Sequence, residues 1–596
     1  MFYRLKEIFY FFKPPGAGKR VFFSIIIGII AGAGAAAFFY LLEWGKFFAF
    51  EVLAGTHLTS PAGERLIHAV VHTPSRPWLW FIIPTVGGLL SGLIVYSFAP
   101  EAEGHGTDAM INAFHHLKGK IRTRVPYVKG IASIITLATG GSGGREGPIA
   151  QIGAGFGSWL GQILKLSPKE IRIMLLSGTA GGLGAIFRAP LGGAITSVEI
   201  LYREDFETEA IIPCIISSVV AYTLYTFIFG NRPIFFTPKL AFSNPLELIF
   251  YAILGFVCAP VGYFYANFFY GIRDRFFKKI KIKPHFKPAI GGFLVGCIGY
   301  FAPKAMGGGY GTIQQAILGN LPLSIMATLV ILKILTTSFT ISSGGSGGVF
   351  GPSLFIGAML GGTMGTVSHH FFPSIVTHPE AFVLVGMTGF FAGVAHAPLG
   401  SLLMVTEMTA SYTLLAPLML VSGISLLFTK KWSIYEKQVQ NKFHSPAHAE
   451  DVTINVMQDI LVRSIFKPQE NGVVIIKENT PFSEIKKIIA ESQHTYYPVV
   501  NEKNQLVGIL SLNNIRTVMF DDAVKDLLVA GELATPPKTI SLDEDLYSAL
   551  IKFLESGYGQ IPVIDTQQEG KIVGMLQHQD VIYAYHKEIE RRKGMG

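Results

Sequence analysis

Two glycine-rich phrases, Gly141-Ser142-Gly143-Gly144-Arg145-Glu146-Gly147-Pro148 and Gly345-Ser346-Gly347-Gly348-Val349-Phe350-Gly351-Pro352, each interrupt a long apolar stretch. A glycine run followed by a helix start leaves backbone N–H groups that nothing within the helix accepts. Those groups carry partial positive charge and favour an anion. Inside a bilayer such a break is tolerated only where it is buried in protein or lines a cavity. Two breaks in corresponding places of two halves therefore predict broken helices that meet near the bilayer midplane around an anion pathway.

The rest of the chain fits a membrane setting. Charged residues make up 15% of it, against about 25% in soluble domains, and the mean hydropathy is +0.43. Apolar segments recur from 21–42 to 414–428, many of them shorter than the roughly 20 residues of a spanning helix. The basic residues behind the net charge of +9 gather at segment ends, as at Lys430-Lys431 and in 273–279. That placement suits anchoring with both termini in the cytoplasm, and it argues against a nucleic-acid surface. Residues 1–20 mix Phe, Tyr and Leu with Arg and Lys, the pattern of an interfacial amphipathic helix. The following apolar run is long enough to span, so it reads as a retained helix rather than a cleaved signal. Cys214, Cys258 and Cys297 show no metal spacing and read as small buried hydrophobes.

The chain repeats itself. Gly178-Thr179-Ala180-Gly181 leads to Arg188-Ala189-Pro190-Leu191-Gly192 and Glu199, just as Gly386-Met387-Thr388-Gly389 leads to His396-Ala397-Pro398-Leu399-Gly400 and Glu407. Gly104-His105-Gly106-Thr107 is matched to Gly309-Tyr310-Gly311-Thr312. The halves fall at about 78–230 and 246–428, and the pattern alone leaves their relative direction open. Beyond an exit segment the composition becomes that of a soluble α/β unit. There Tyr496-Tyr497-Pro498-Val499-Val500 with 506–511, and Gln560-Ile561-Pro562-Val563-Ile564-Asp565 with 571–576, each predict strand, turn, strand and then a helix.

At these residues the chain resembles the CLC family of chloride channels and proton/chloride exchangers, followed by a tandem pair of CBS domains. Gly-Arg-Glu-Gly-Pro at 144–148 and Gly-Gly-Val-Phe-Gly-Pro at 347–352 carry the resemblance, which spans about 20–590. It implies an all-α polytopic membrane domain over 21–445 with an inverted repeat and broken helices, and a cytoplasmic α/β CBS pair over 446–596 (about 453–522 and 530–590). It also implies a homodimer in the inner (plasma) membrane with one chloride pore per subunit. No cofactor is required, and nothing resembling an enzyme's metal cluster or nucleophile–base pair stands out.

The resemblance assigns roles residue by residue. Glu146 is the gate: a carboxylate is a tethered anion that can fill the outer anion site and leave it when protonated. The anion-binding set is Gly104, His105, Gly106, Ser142, Gly144, Arg145, Gly147, Gly348, Val349, Phe350 and Tyr435. Two residues depart from the family. His105 stands where a serine is usual, and either donates to the anion or turns away as a neutral ring. Ile200 stands at the inner proton-transfer position, where exchangers carry an acid. Glu204, Asp205 and Glu207 follow it by one to two turns and either substitute for that acid or, as the simpler reading, form a solvated helix end, while Glu199 and Glu407 read as structural acids. Ile200 thus favours passive, weakly coupled chloride permeation, with proton/chloride antiport as the alternative. In the CBS pair, Ser511, Asn514 and Asp580 stand at positions where relatives bind an adenine nucleotide, although neither repeat has the complete pair of residues.

Overall fold

The glycine-rich phrases lie between helices, and everything around them is arranged to bring the two together. The computed structural model describes residues 17–56, 59–64, 66–67, 75–238, 240, 242, 244–448, 456–467, 473–519, 527–565 and 571–594. The proposed amphipathic stretch 1–20 lies outside these except for its last four residues, as does Thr453 at the expected start of the first CBS repeat. The chain divides between Ala447 and His448 into two compact units.

The first unit is helical. After α1 (Ala17–Lys46) the first half runs through α2 (Leu79–Phe98), α3 (Thr107–His115), α4 (Val125–Ala138), α5 (Glu146–Ile163), α6 (Pro168–Ile186), α7 (Pro190–Glu199) and α8 (Ile211–Phe229). The second half runs through α9 (Glu247–Ile272), α10 (Lys287–Phe301), α11 (Tyr310–Ile317), α12 (Leu323–Ser342), α13 (Phe350–Phe371), α14 (Ala381–Ala395), α15 (Pro398–Thr409) and α16 (Leu415–Thr429). Among the described residues six helical stretches are long and apolar enough to cross a membrane, while α4, α14 and α16 are shorter apolar helices. Local signals explain the starts. Ser167 and Glu170 form a reciprocal capping box at α6, and prolines open α6, α7 and α15, where the missing N–H is harmless.

Helices cross closely because small residues face each other. A Cβ added to Gly153 on α5 would lie 2.1 Å from the carbonyl oxygen of Gly178 on α6, and one on Gly357 of α13 would lie 2.3 Å from that of Gly386 on α14. These crossings are equivalent in the two halves. So are two acids, Glu199 buried and Glu407 half-buried. Glu199 accepts from the amides of Leu399 and Gly400 at 3.1 and 2.6 Å, and Glu407 from those of Leu191 and Gly192 at 3.2 and 2.7 Å. Each half thus supplies a carboxylate to the N-terminus of a helix in the other half, where helix dipole and free amides favour it.

The second unit holds two three-stranded sheets of the same order. In the first, β1 (Ile476–Lys477) runs parallel to β2 (Tyr496–Val500), which pairs antiparallel with β3 (Leu506–Ser511). In the second, β4 (Ile540–Ser541), β5 (Gln560–Asp565) and β6 (Lys571–Gln577) repeat that arrangement. A helix follows each sheet, at Leu512–Val518 and His578–Gly594. The strands β2, β3 and β5 have the bounds expected from the sequence and β6 runs one residue longer, whereas the two-residue strands β1 and β4 are not expected from it; the fold is helical membrane unit then α/β pair.

Candidate anion pathway

Around the broken helices the two halves are joined by reciprocal contacts. The Gly144 amide donates to the Gly348 carbonyl, and the Gly348 amide to the Gly144 carbonyl, both at 2.7 Å. Ser133 meets Ser346 at 2.8 Å, and the equivalent pair Ser142 and Thr337 meets at 3.0 Å. Two fully buried lysines complete the frame. Lys129 donates to the carbonyls of Ala102 and Gly104 at 3.0 and 2.7 Å, and Lys333 to those of Ala305 and Gly307 at 3.3 and 2.6 Å.

These contacts correct one sequence match. The lysine bonds make Gly104 equivalent to Gly307, and positive φ at Gly106 (75°) and Gly309 (79°) immediately precedes α3 and α11. Gly104-His105-Gly106-Thr107 therefore corresponds to Gly307-Gly308-Gly309-Tyr310, two residues earlier than the match of similar letters.

Four expected anion ligands are committed elsewhere. The amides of Gly144 and Gly348 are used by each other, so they do not point at an anion. The Ser142 amide goes to the Thr340 hydroxyl at 2.9 Å. Arg145 forms a buried two-bond pair with Glu64, at 3.0 and 2.5 Å, with its guanidinium 4.7 Å over the Tyr310 ring. By contrast, the amides of Gly147, Val349 and Phe350 have no hydrogen-bond partner among the described residues. They are the free donors at the starts of α5 and α13.

Glu146 is 1% exposed. Its carboxylate accepts from the Gly351 amide at 3.2 Å and from the Tyr310 hydroxyl, both on elements of the other half. A carboxylate thus sits on the first turn of α13, where an anion is favoured. One small cavity is lined by Glu146, Phe350, Tyr435, Ile200 and the threonines Thr107, Thr179 and Thr196. Tyr435 is buried, with its hydroxyl on the side of Thr107 in this cavity. Its loop is fixed by Asp108, which accepts the amides of Glu436 and Lys437 at 3.2 and 3.1 Å.

The cavity lies between two vestibules. One is lined by Gly104, His105, Gly106 and Asp108 together with Arg273, Lys278 and Lys287. His105 does not turn away from this route. It is 7% exposed, its ring centroid lies 5.6 Å from that of Tyr435, and its Nε2 is 3.3 Å from Asp108. The other vestibule is lined by Lys46, Glu64, Arg145, Lys304 and Tyr310. Acids line both as well, Glu103 and Asp108 in the first and Glu43, Glu51 and Glu64 in the second, where Glu43 pairs with Lys46 and Glu64 with Arg145.

The nucleotide candidates have local work. Ser511 and Asn514 form a reciprocal capping box, with Ser511 accepting the Asn514 amide at 3.3 Å and Asn514 accepting the Ser511 amide at 3.0 Å. Asp580 accepts the Gln577 amide at 3.3 Å. The sequence singled out neither Tyr310, Glu64, Asp108 nor the buried lysines. Lys129 and Lys333 were discoverable, since each is a lone cation in an apolar segment and they are as far apart as Gly144 and Gly348. Nothing around Glu64 marks it.

Comparison with known proteins agrees with this geometry. The family model described as "Voltage gated chloride channel" matches residues 87–430, and the CBS domain model matches 462–521 and 524–587. The chain is 32% identical over 417 residues to the H(+)/Cl(-) exchange transporter ClcA of Salmonella paratyphi A, covering 68% of this chain and 85% of that protein. It is 30% identical over 404 residues to ClcA of Yersinia pseudotuberculosis, covering 66% and 81%. The crystal structure of a slow cyanobacterial Cl-/H+ antiporter superposes with a TM-score of 0.61 at 24% identity, over 71% of this chain and 97% of that one. A eukaryotic CLC transporter superposes with a TM-score of 0.58 at 20% identity, over 94% and 97%. Motif, paired helix breaks and family model coincide on one stretch of chain, and the chain belongs to the voltage-gated chloride channel (CLC) family of chloride-transporting membrane proteins, with two CBS domains at its C-terminus.

Proposed function

We propose that this protein exchanges protons for chloride across the membrane, with Glu146 as the group both ions use. The observation that carries this reading is the seat of the Glu146 carboxylate on the first turn of α13, where it accepts from Gly351 and Tyr310. A carboxylate there competes with chloride for the same donors. Taking up a proton removes its charge and its claim on them, so proton binding and chloride entry are alternatives at one place. The relatives of about 30% identity named above are called exchange transporters, which supports coupling over the passive reading that Ile200 suggests.

The same reading places the Lys430, Arg203, Lys169 and Lys19 face in the cytoplasm, with the His105 vestibule as the inner mouth. Contacts tie this face together: Lys430 to Glu204, Arg203 to Val439, and Lys19 to Glu170. It also gives a homodimer in the inner membrane, and an adenine nucleotide at Ser511, Asn514 and Asp580 as the ligand to test on the CBS pair. To bind there the nucleotide must replace the capping bonds those residues now make.

The deciding experiment is chloride efflux from proteoliposomes with simultaneous recording of external pH. Chloride flux accompanied by stoichiometric proton uptake is the expected result. Chloride flux with no proton movement makes the protein a passive conduit.

A further inference from the structure

Exchange needs Glu146 to meet protons from the outer side, yet its carboxylate does not open onto water there. Glu146 is 1% exposed and is not among the residues that line the vestibule of Lys46, Lys304 and Tyr310. Its carboxylate lies so close to Gly144 and Gly351 that a Cβ on either glycine would press on it. It accepts from the Gly351 amide and from the Tyr310 hydroxyl. Gly351 does not line that vestibule, and Tyr310 does.

The vestibule lies at the far end of α1. That helix has 30 residues, about 45 Å at 1.5 Å per residue. Near its start Lys19 pairs with Glu170 on the face read above as cytoplasmic. At its end Glu43 and Lys46 line the vestibule, which is therefore the outer mouth. Tyr310 stands between that mouth and Glu146.

The tyrosine is braced through its ring. The Arg145 guanidinium lies 4.7 Å over it and is itself paired with Glu64, and the Phe235 ring stacks on it at 6.0 Å. The hydroxyl is thereby held on Glu146 while the residue stays 8% exposed. A phenol hydroxyl both donates and accepts, and a cation over the ring favours negative charge developing on its oxygen. The charged groups around it are Glu146 and Arg145 at the start of α5, Glu64 on the loop before α2, Lys333 on α12 behind Gly307 and, along the vestibule, Glu43, Lys46, Glu51 and Lys304. Of these, Glu146 is the one bonded to the hydroxyl among the described residues.

We propose that Tyr310 is the outer proton relay of the gate, passing protons between vestibule water and Glu146. This deepens the exchange reading and rests on its gate. Inward, the Tyr310 O–H bond breaks as its proton adds to a Glu146 carboxylate oxygen. A hydronium ion of the vestibule gives its proton to the phenol oxygen and becomes water. Tyr310 ends as it began, and Glu146 has gained the one proton that the outer side lost. Outward, the same bonds form and break in reverse.

The test uses the full chain in right-side-out membrane vesicles, with chloride efflux followed while pH is varied on one side at a time. Tyr310→Phe keeps the ring beneath Arg145 and removes the hydroxyl. The expected result is a wild type that responds to pH on both sides. In Tyr310→Phe chloride efflux persists and the response to inner pH is kept, while the response to outer pH falls by about tenfold or more, a modest loss for removal of a positioned proton donor. A hydroxyl that serves only as a latch on Glu146 predicts something else, because it acts on the carboxylate whichever side supplies the proton. Responses that change together on both sides, an unchanged outer response, or a wild type indifferent to outer pH each overturn the proposal. Proton uptake recorded in the same vesicles judges exchange separately: an uncoupled wild type overturns exchange, and the sided response still decides the role of Tyr310. Should Tyr310→Phe carry no chloride, 3-fluorotyrosine at position 310 decides, since it keeps ring and hydroxyl and makes the hydroxyl more acidic. A shift confined to the outer response supports the relay, and a shift on both sides or on neither refutes it.

Discussion

The Tyr310 hydroxyl donates to Glu146 across the boundary between the two halves of the membrane unit. Tyr310 is the first residue of α11, and Glu146 the first of α5. The contact is braced from behind, because the Arg145 guanidinium lies 4.7 Å over the same tyrosine ring and is itself paired with Glu64. Glu146 is therefore held by a tyrosine as well as by a helix N-terminus, and that tyrosine and its brace line a different cavity from the one that His105 lines.

Removing only the latch is the first prediction. Tyr310→Phe keeps the ring under Arg145 and deletes one hydrogen bond to a charged acceptor, about 1.5–3 kcal/mol. The closed position of Glu146 weakens accordingly, and chloride efflux at neutral pH rises roughly ten- to a hundredfold, by the usual conversion of about 1.4 kcal/mol per decade. Slower efflux in Tyr310→Phe would show that the hydroxyl serves the open path instead.

Glu146→Gln carries no charge at any pH and imitates the protonated gate. Chloride efflux should persist, become nearly independent of pH between about 4 and 8, and lose accompanying proton uptake. A variant that retains the wild-type pH profile removes Glu146 from the gating role.

Glu64 and Arg145 form a pair in which both side chains are 4% exposed. Glu64→Ala leaves a buried guanidinium without its partner, at a cost of about 3–5 kcal/mol. Arg145→Met in the same chain removes the stranded charge and should recover much of the loss. Thermal unfolding in detergent across the double-mutant cycle measures this coupling; additive losses would mean that the two residues act independently.

Much of the fold can be read from the sequence because it is encoded in patterns of period and repetition. Paired glycine phrases, matched Ala-Pro-Leu-Gly starts and alternating strands each impose local geometry that survives packing. The site is less legible because its contacts join residues far apart in the chain. Glu64 reaches Arg145 from a loop with no motif, and Asp108 fixes the Tyr435 loop from more than three hundred positions away. Similar letters even mislead. Gly-Tyr-Gly-Thr at 309–312 looks like the partner of Gly-His-Gly-Thr at 104–107, but the backbone conformations of Gly106 and Gly309 align the halves two residues earlier. Glu207 fails for a different reason. It sits in a charged run that reads as solvated, yet the segment folds back onto Val198 and the side chain is buried.

The orientation is tested with protease on intact cells. If the Lys430 face is cytoplasmic, protease added outside spares the segment 450–596, and opening the membrane exposes it. Cleavage in intact cells reverses the assignment of the two vestibules.

The buried lysines separate a purely structural role from one in gating. Lys129→Met and Lys333→Met each remove two buried hydrogen bonds, although the Ala102, Gly104 and Ala305 carbonyls keep donors in the Ser346 hydroxyl, the Gly347 amide and the Thr336 hydroxyl, and each should lower stability by about 1–3 kcal/mol in detergent unfolding. Their effects on gating should differ. Lys333 anchors the Gly307 carbonyl, three residues before the Tyr310 that holds Glu146, whereas Lys129 anchors the Gly104 carbonyl beside His105. Losing the Gly307 anchor loosens a donor to the Glu146 carboxylate, so Lys333→Met should open the Glu146 gate at higher pH, shifting the chloride-flux profile upward. Lys129→Met should leave that profile in place while losing comparable stability. Chloride efflux measured against pH for the two variants side by side checks this, and equal shifts would mean that both lysines act on the gate only through the shared scaffold.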